Sequence, residues 1–175
     1  MDSFGAGQFV QHSVIEINSD WHLRKVIDHF KSANTTWDNI GVVMVDKDMK
    51  EVDVIREEFS NAHVLLCHFH VLKFLQRIVK DLKYGKYSRD EYASFGHLYY
   101  NLVYAESESE FDVQNELLCK MSCARGNTSF WKYFQLNWAE SIDMWSTYRR
   151  ARLPHFCNHT NNRLESNFLK VEAKP

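Results

Sequence analysis

The spacing of apolar residues changes several times along the chain, and each change marks an expected element. Gln8 to Ile17 carries Phe9, Val10, Val14, Ile15 and Ile17 and reads as a strand. Asn18, Ser19 and Asp20 offer helix N-caps. Leu23, Val26, Ile27 and Phe30 then recur on one helical face, with the helix ending near Ser32 to Thr36. Ile40 to Val45 is an unbroken apolar run that stops at Asp46. Met49, Val52, Ile55 and Phe59 return to helical spacing. A second apolar run, Ala62 to Leu66, ends on Cys67 and His70. Two short apolar runs flanking an amphipathic helix predict a βαβ unit with parallel strands. Ligands of such units gather at the carboxyl ends of the strands. Asp46 and the Cys67–His70 pair are therefore expected at one rim.

Beyond His70 every segment keeps helical spacing. Leu72, Leu75, Val79 and Leu82 predict one helix, stopped by Gly85. Tyr92, Phe95, Tyr99, Leu102 and Val103 predict a second. Phe111, Leu117, Leu118 and Met121 predict a third, ended by Arg125-Gly126-Asn127. Phe130, Trp131, Phe134, Trp138, Ile142 and Trp145 predict one long helix running toward Tyr148 and closed by Pro154. A polar loop from His155 to Asn161 precedes a last helix from about Asn162. The expected class is α/β, with a large all-helical block between the last strand and the final helix.

Composition adds limits. At 175 residues the chain can bury a proper core, and 14% aromatic residues can fill it. A formal charge of -2 means that a nucleic-acid partner needs a local basic patch. No run of about 18 apolar residues suggests a membrane span. The start, MDSFGAGQFVQH, lacks the pattern of a secretory signal. Cys67, Cys119, Cys123 and Cys157 then read as reduced thiols.

Each candidate for chemistry also has a plain structural reading. Asp46, beside Lys47 and Asp48, also suits a strand-to-helix turn. Glu165 suits the first turn of a helix, where the dipole favours an acid. Cys67, His68 and His70, the pair Cys119 and Cys123 one helical turn apart, and His155, Cys157 and His159 could together compose a zinc site, although the spacing matches no recognised finger. Lys73, Arg77, Lys80 and Lys83 form a basic stripe opposite the apolar face of their helix. It reads as a solvated face or as a phosphate-contacting surface. Tyr148-Arg149-Arg150-Ala151-Arg152 is a second basic cluster. The series Trp131, Phe134, Trp138 and Trp145 reads as core. No GxSxG, Walker A or GxGxxG motif supports nucleophilic or nucleotide chemistry.

The run VMVDKDMKEVDVIREEFSNAHVLLCHFHVLK, with FGAGQFVQHSVIE before it and HTNNRLESNFLK after it, resembles Mutator-like transposases. It is most similar to their domesticated relatives, the zinc-finger SWIM domain-containing proteins of the 1/3 type, in their RNase H-like domain. The resemblance implies an RNase H-like fold in which three acids hold Mg²⁺ or Mn²⁺ for phosphodiester cleavage. Hard carboxylates suit these ions, and two metals about 3.5–4 Å apart clamp the attacking and leaving oxygens. It makes Asp46 the second acid, Glu165 the third, and Cys67 with His70 the Cys-x-x-His pair that steadies the site.

The first acid of that family lies on a strand upstream of the equivalent of MDSFGAGQFVQH, and its SWIM zinc module lies downstream. The chain is therefore expected to be a truncated, incomplete RNase H-like fold. It would hold strands three to five, with residues 1–70 and 154–175 forming a partial core and residues 71–153 a helical insertion. Two carboxylates cannot replace three, so the expectation is an inactive nuclear module associated with DNA or with other nuclear proteins, needing no cofactor. The alternative is a fragment of a metal-dependent transposase.

Overall fold

The computed structural model describes residues 10–17 and 19–153. The chain divides into two compact units at the Cys67–His68 junction, the second comprising His68–Leu153. Both strands lie in the first unit. Among the described residues no helix is long and apolar enough to cross a membrane.

In the first unit, α1 (Asp20–Ala33) starts at Ser19, whose hydroxyl accepts a hydrogen bond from the His22 amide. Strand β1 (Val42–Val45) leads into α2 (Met49–Glu58), which Asp48 caps by accepting from the Lys50 amide at 3.0 Å. Strand β2 (His63–Leu66) returns parallel to β1, with Val42 opposite His63 and Val45 opposite Leu66. Val52, Val54 and Ile55 of α2 and Val64, Leu65 and Leu66 of β2 are buried together with Ile27 and Phe59. Each such side chain contributes about 1.5–3 kcal/mol relative to exposure.

Lys31 binds the end of α1 to the end of α2. Its ammonium donates to the Glu58 carbonyl at 2.6 Å and to the Glu58 carboxylate at 2.8 Å. It also lies 4.3 Å from the centre of the Trp37 ring and 5.3 Å from that of Phe59. Arg24 pairs with both Glu57 and Glu58.

The strand expected from Gln8 to Ile17 does not form over residues 10–17. That stretch has no ladder partner, since the sheet of the described residues holds only β1 and β2. Val10, Val14, Ile15 and Ile17 are exposed there. Apolar alternation alone does not make a strand without a neighbour to accept its hydrogen bonds.

The second unit is helical: α3 (His68–Ile78), α4 (Arg89–Tyr104), α5 (Glu108–Cys123), α6 (Ser129–Trp138), α7 (Ile142–Trp145) and α8 (Thr147–Arg150). A capping box opens α4, with the Glu91 amide donating to the Ser88 hydroxyl and the Ser88 amide to the Glu91 carboxylate. The core is aromatic. Phe130 packs edge-on against Phe95 at 5.7 Å and against Tyr84 at 5.7 Å, and Phe111 lies 5.8 Å from Trp145. Gly126, at φ +76°, turns the chain after α5 in a conformation that disfavours a Cβ.

Two expected helices come out differently. The helix expected through Leu82 ends at Ile78. Asp81 instead accepts from the Lys83 amide at 3.1 Å and starts a separate single turn, Leu82–Tyr84. The long helix expected from Phe130 to Tyr148 is broken at Trp138, where φ is -129°. The buried indole N–H of Trp145 needs an acceptor and takes the Trp138 carbonyl at 3.1 Å, and the Ser141 hydroxyl donates to the same oxygen at 3.3 Å. Ser146, extended at ψ 134°, makes the second break. The helix expected from Asn162 lies outside the described residues.

Two stability outcomes follow from these contacts. Trp145→Phe keeps the ring but removes the indole donor, so the chain should lose about 1–2 kcal/mol in urea denaturation. An unchanged midpoint would mean that the break at Trp138 does not depend on this bond. Glu58 is held below the usual carboxylate range, first by the Lys31 hydrogen bond and then by Arg24. Its contribution is present above the unfolded-state value and is lost as pH falls through the lower folded-state value. Glu58→Gln should therefore cost roughly 1 kcal/mol at neutral pH. In parallel melts the difference from wild type should close on acidification below the ordinary carboxylate range.

Candidate functional site

The parallel register decides what meets at the rim of the first unit. Val45 lies opposite Leu66, so the next residues along, Asp46 and Cys67, leave the sheet side by side. The Cys67 amide donates to the Val45 carbonyl at 2.8 Å and fixes that level. A carboxylate oxygen of Asp46 and the Cys67 sulfur lie within 4.8 Å of each other. Asp46 is exposed, whereas Cys67 is fully buried. The Asp46 carbonyl accepts from the Asp48 amide at 3.0 Å, the tight turn that lets Asp48 cap α2.

This donor pair bears on the metal that the resemblance implies. Mg²⁺ and Mn²⁺ at a cleavage site are held by hard oxygens, and a thiol beside the carboxylate suits a softer cation. The Asp46–Cys67 pair by itself therefore does not fit Mg²⁺. Glu165 lies outside the described residues.

Lys47 is the residue that sequence reasoning missed. It follows Asp46 directly and is partly buried, and burial pulls its ammonium down to about 8. Its only sequence signal is a lone lysine between two aspartates where a buried strand ends.

Beside α2, a cleft of about 320 Å³ runs between the starts of α1 and α2, lined by Ser19, Asp20, Leu23, Asp48, Met49, Lys50 and Glu51. Three carboxylates against one lysine make it repellent to phosphate.

In the second unit, His70 stands in the first turn of α3, partly buried, with Phe69 packed edge-on at 5.1 Å. His68 is fully buried with Tyr104 edge-on at 5.0 Å. Lys73 and Arg77 are exposed on α3 and stacked over Phe69 and Phe74. Lys80 and Lys83 are exposed but fall beyond the helix end, and Lys83 pairs with Asp81 at 3.2 Å. The expected stripe is thus helical only over Lys73 and Arg77. In the second basic cluster Arg149 is exposed and bonds to Glu108, whereas Arg150 is fully buried. Cys119 and Cys123 sit on the last two turns of α5, half-buried and free of disulfides. Of the other zinc candidates, His155, Cys157 and His159 lie outside the described residues.

Residues 1–65 match the model of the RNaseH-like domain of zinc finger SWIM domain-containing protein 1/3. That is the family and domain to which the motifs point. The matched stretch carries α1, β1, α2 and all of β2 but its last residue, including Asp46. No solved structure matches the chain.

The lowered value of Lys47 can be tested directly. Quantitative acylation mapped by mass spectrometry should show Lys47 reacting half-maximally near pH 8, ahead of the exposed lysines. The folded chain binds fewer protons than the unfolded one between about pH 8 and the ordinary lysine value near 10.5, so stability should rise with pH across that window. Lys47→Met should abolish that rise. A Lys47 that titrates with the exposed lysines would show that its burial does not persist in solution.

Proposed function

We propose that this chain, whose residues 1–65 carry the RNaseH-like domain of the zinc finger SWIM family, is a transposase-derived module that works in the nucleus without cleaving DNA. The observation that carries this reading is the neighbourhood of Asp46. Two-metal cleavage uses clustered hard carboxylates. Here the aspartate at the strand end has a thiol within 4.8 Å and a partly buried lysine next in sequence.

The same module associates with DNA through its helical unit. Lys73 and Arg77 project from α3 as solvent-exposed cations, and neither has a carboxylate partner among the ion pairs of the described residues. The acidic cleft between α1 and α2 is unsuited to that role. Such contacts are to phosphate, so they give affinity without sequence preference. Other nuclear proteins are the second class of partner. Phosphate contacts of this kind leave room for a protein to supply specificity.

The test is mobility shift and plasmid nicking on the purified chain, with Mg²⁺ and with Mn²⁺. Binding should weaken several-fold in Lys73→Glu/Arg77→Glu, and the salt slope should fall by about 1–2. Nicking should be absent and unaffected by Asp46→Asn. Metal-dependent nicking that Asp46→Asn removes would instead establish a fragment of a divalent-metal nuclease. Failure to bind DNA in any salt would sink the DNA-associated reading.

A further inference from the structure

We infer that the exposed face shared by α3 and α4 binds single-stranded DNA, holding its phosphates on Lys73, Arg77 and Lys80 and stacking unpaired bases on Phe69 and Tyr100. The inference rests on the DNA-associated reading and names the form of DNA. The two helices run antiparallel, side by side. Tyr104 packs edge-on against His68 at 5.0 Å, and Gln76 Nε2 lies 3.5 Å from where a Cβ would stand on Gly96. Those two contacts set the register and bring Tyr100 level with Leu72, in the turn between Phe69 and Lys73. Phe69 is 38% exposed and Tyr100 55%, the two most exposed aromatic side chains of the second unit. Most rings of that unit fill its core, so these two are open to an outside partner.

The charge on this face matches a phosphate backbone. Lys73 and Arg77 follow Phe69 along the exposed side of α3, and the chain keeps its winding as far as Lys80, whose amide donates to the Arg77 carbonyl at 3.2 Å. Lys73 Nζ stands 5.5 Å from the centre of the Phe69 ring, so a phosphate-binding charge sits beside a stacking surface. The two helices offer almost no carboxylate against these charges. α3 has neither Asp nor Glu, and α4 has none after Glu91. Glu91 is engaged by Arg125 at 2.6 Å, and Asp81, beyond Lys80, by Lys83 at 3.2 Å. Cations alone attract duplex and single strand alike. In a duplex the base faces are closed within the stack, so Phe69 and Tyr100 have nothing to cover. A single strand offers phosphates and open base faces together, and stacking on a ring tolerates any base. The rings therefore decide between the two forms of DNA.

The experiment titrates the full-length chain into a fluorescently labelled single strand of mixed sequence, and into the duplex of the same length and salt, and reads anisotropy. The single strand should bind more tightly. Tyr100→Ala and Phe69→Ala should each weaken single-strand binding by about fivefold or more, the scale of one lost stacking contact. Both should leave duplex binding unchanged, which also shows that the variants are folded. Lys80→Ala should weaken binding of both forms. As a readout that needs no variant, a strand carrying 5-iodouracil should crosslink on irradiation to Phe69 or Tyr100 in peptide maps of the wild-type chain. Equal affinity for the two forms, ring variants that weaken both forms or neither, or crosslinks at neither ring would overturn the stacking surface and leave the phosphate contacts of Lys73 and Arg77 standing. Binding of neither form would overturn both.

Discussion

The parallel register of β1 and β2 is the constraint on which the first unit depends. A parallel pair cannot be closed by a tight turn, so the chain must cross over, and α2 is that crossing. The crossing in turn requires an apolar face on α2, a cap at Asp48 and a return at the right height. Once Val45 stands opposite Leu66, the residues that follow have no freedom of level, and Asp46 and Cys67 emerge together. A slip of one residue would turn Cys67 to the opposite face of the sheet and separate the two. The pairing of a carboxylate with a thiol is thus a consequence of strand register, with α2 and its caps serving to hold that register.

The helical unit follows a different logic. Its interior is built from aromatic rings in edge-on contact, and buried indoles bring a demand that aliphatic cores do not. Each N–H taken out of water needs an acceptor or costs about 1–3 kcal/mol. The Trp145 indole meets that demand from a backbone carbonyl, and the helix gives way at Trp138. The Thr147 hydroxyl likewise donates to the Val103 carbonyl at 2.9 Å, tying α8 to the end of α4. Polar obligations inside an apolar core, more than helix propensity, decide where this unit bends.

That difference explains what could be read from the sequence. The βαβ unit was legible because its signals are local: two apolar runs, a helical spacing between them, and Asp48 and Ser19 where caps belong. Asp46 and Cys67 at one rim followed from topology. The break at Trp138 was hidden, since Trp138 and Trp145 satisfy the apolar spacing of an unbroken helix and only the contact between them shows the cost. Residues 10–17 failed for the converse reason. Their apolar residues fit a strand, but a strand is a property of two segments and the sequence shows one. Lys80 and Lys83 kept their exposure but lost their helix to Asp81, a side chain that competes with the helix for the local amides. Lys47 gave almost no signal, because its burial comes from the surrounding fold.

Lys47 also alters the argument about chemistry at the rim. A carboxylate at a strand end is favoured by a nearby countercharge. Here an ammonium follows the carboxylate directly in sequence, and its burial keeps it close to its titration point. A divalent cation bound at Asp46 would lower the proton affinity of that amine further, since like charges disfavour each other at short range. The buried Cys67 thiol beside Asp46 offers nothing that Mg²⁺ prefers. Strand register by itself thus brings a carboxylate and a thiol to one rim, a mixed donor pair set by the fold.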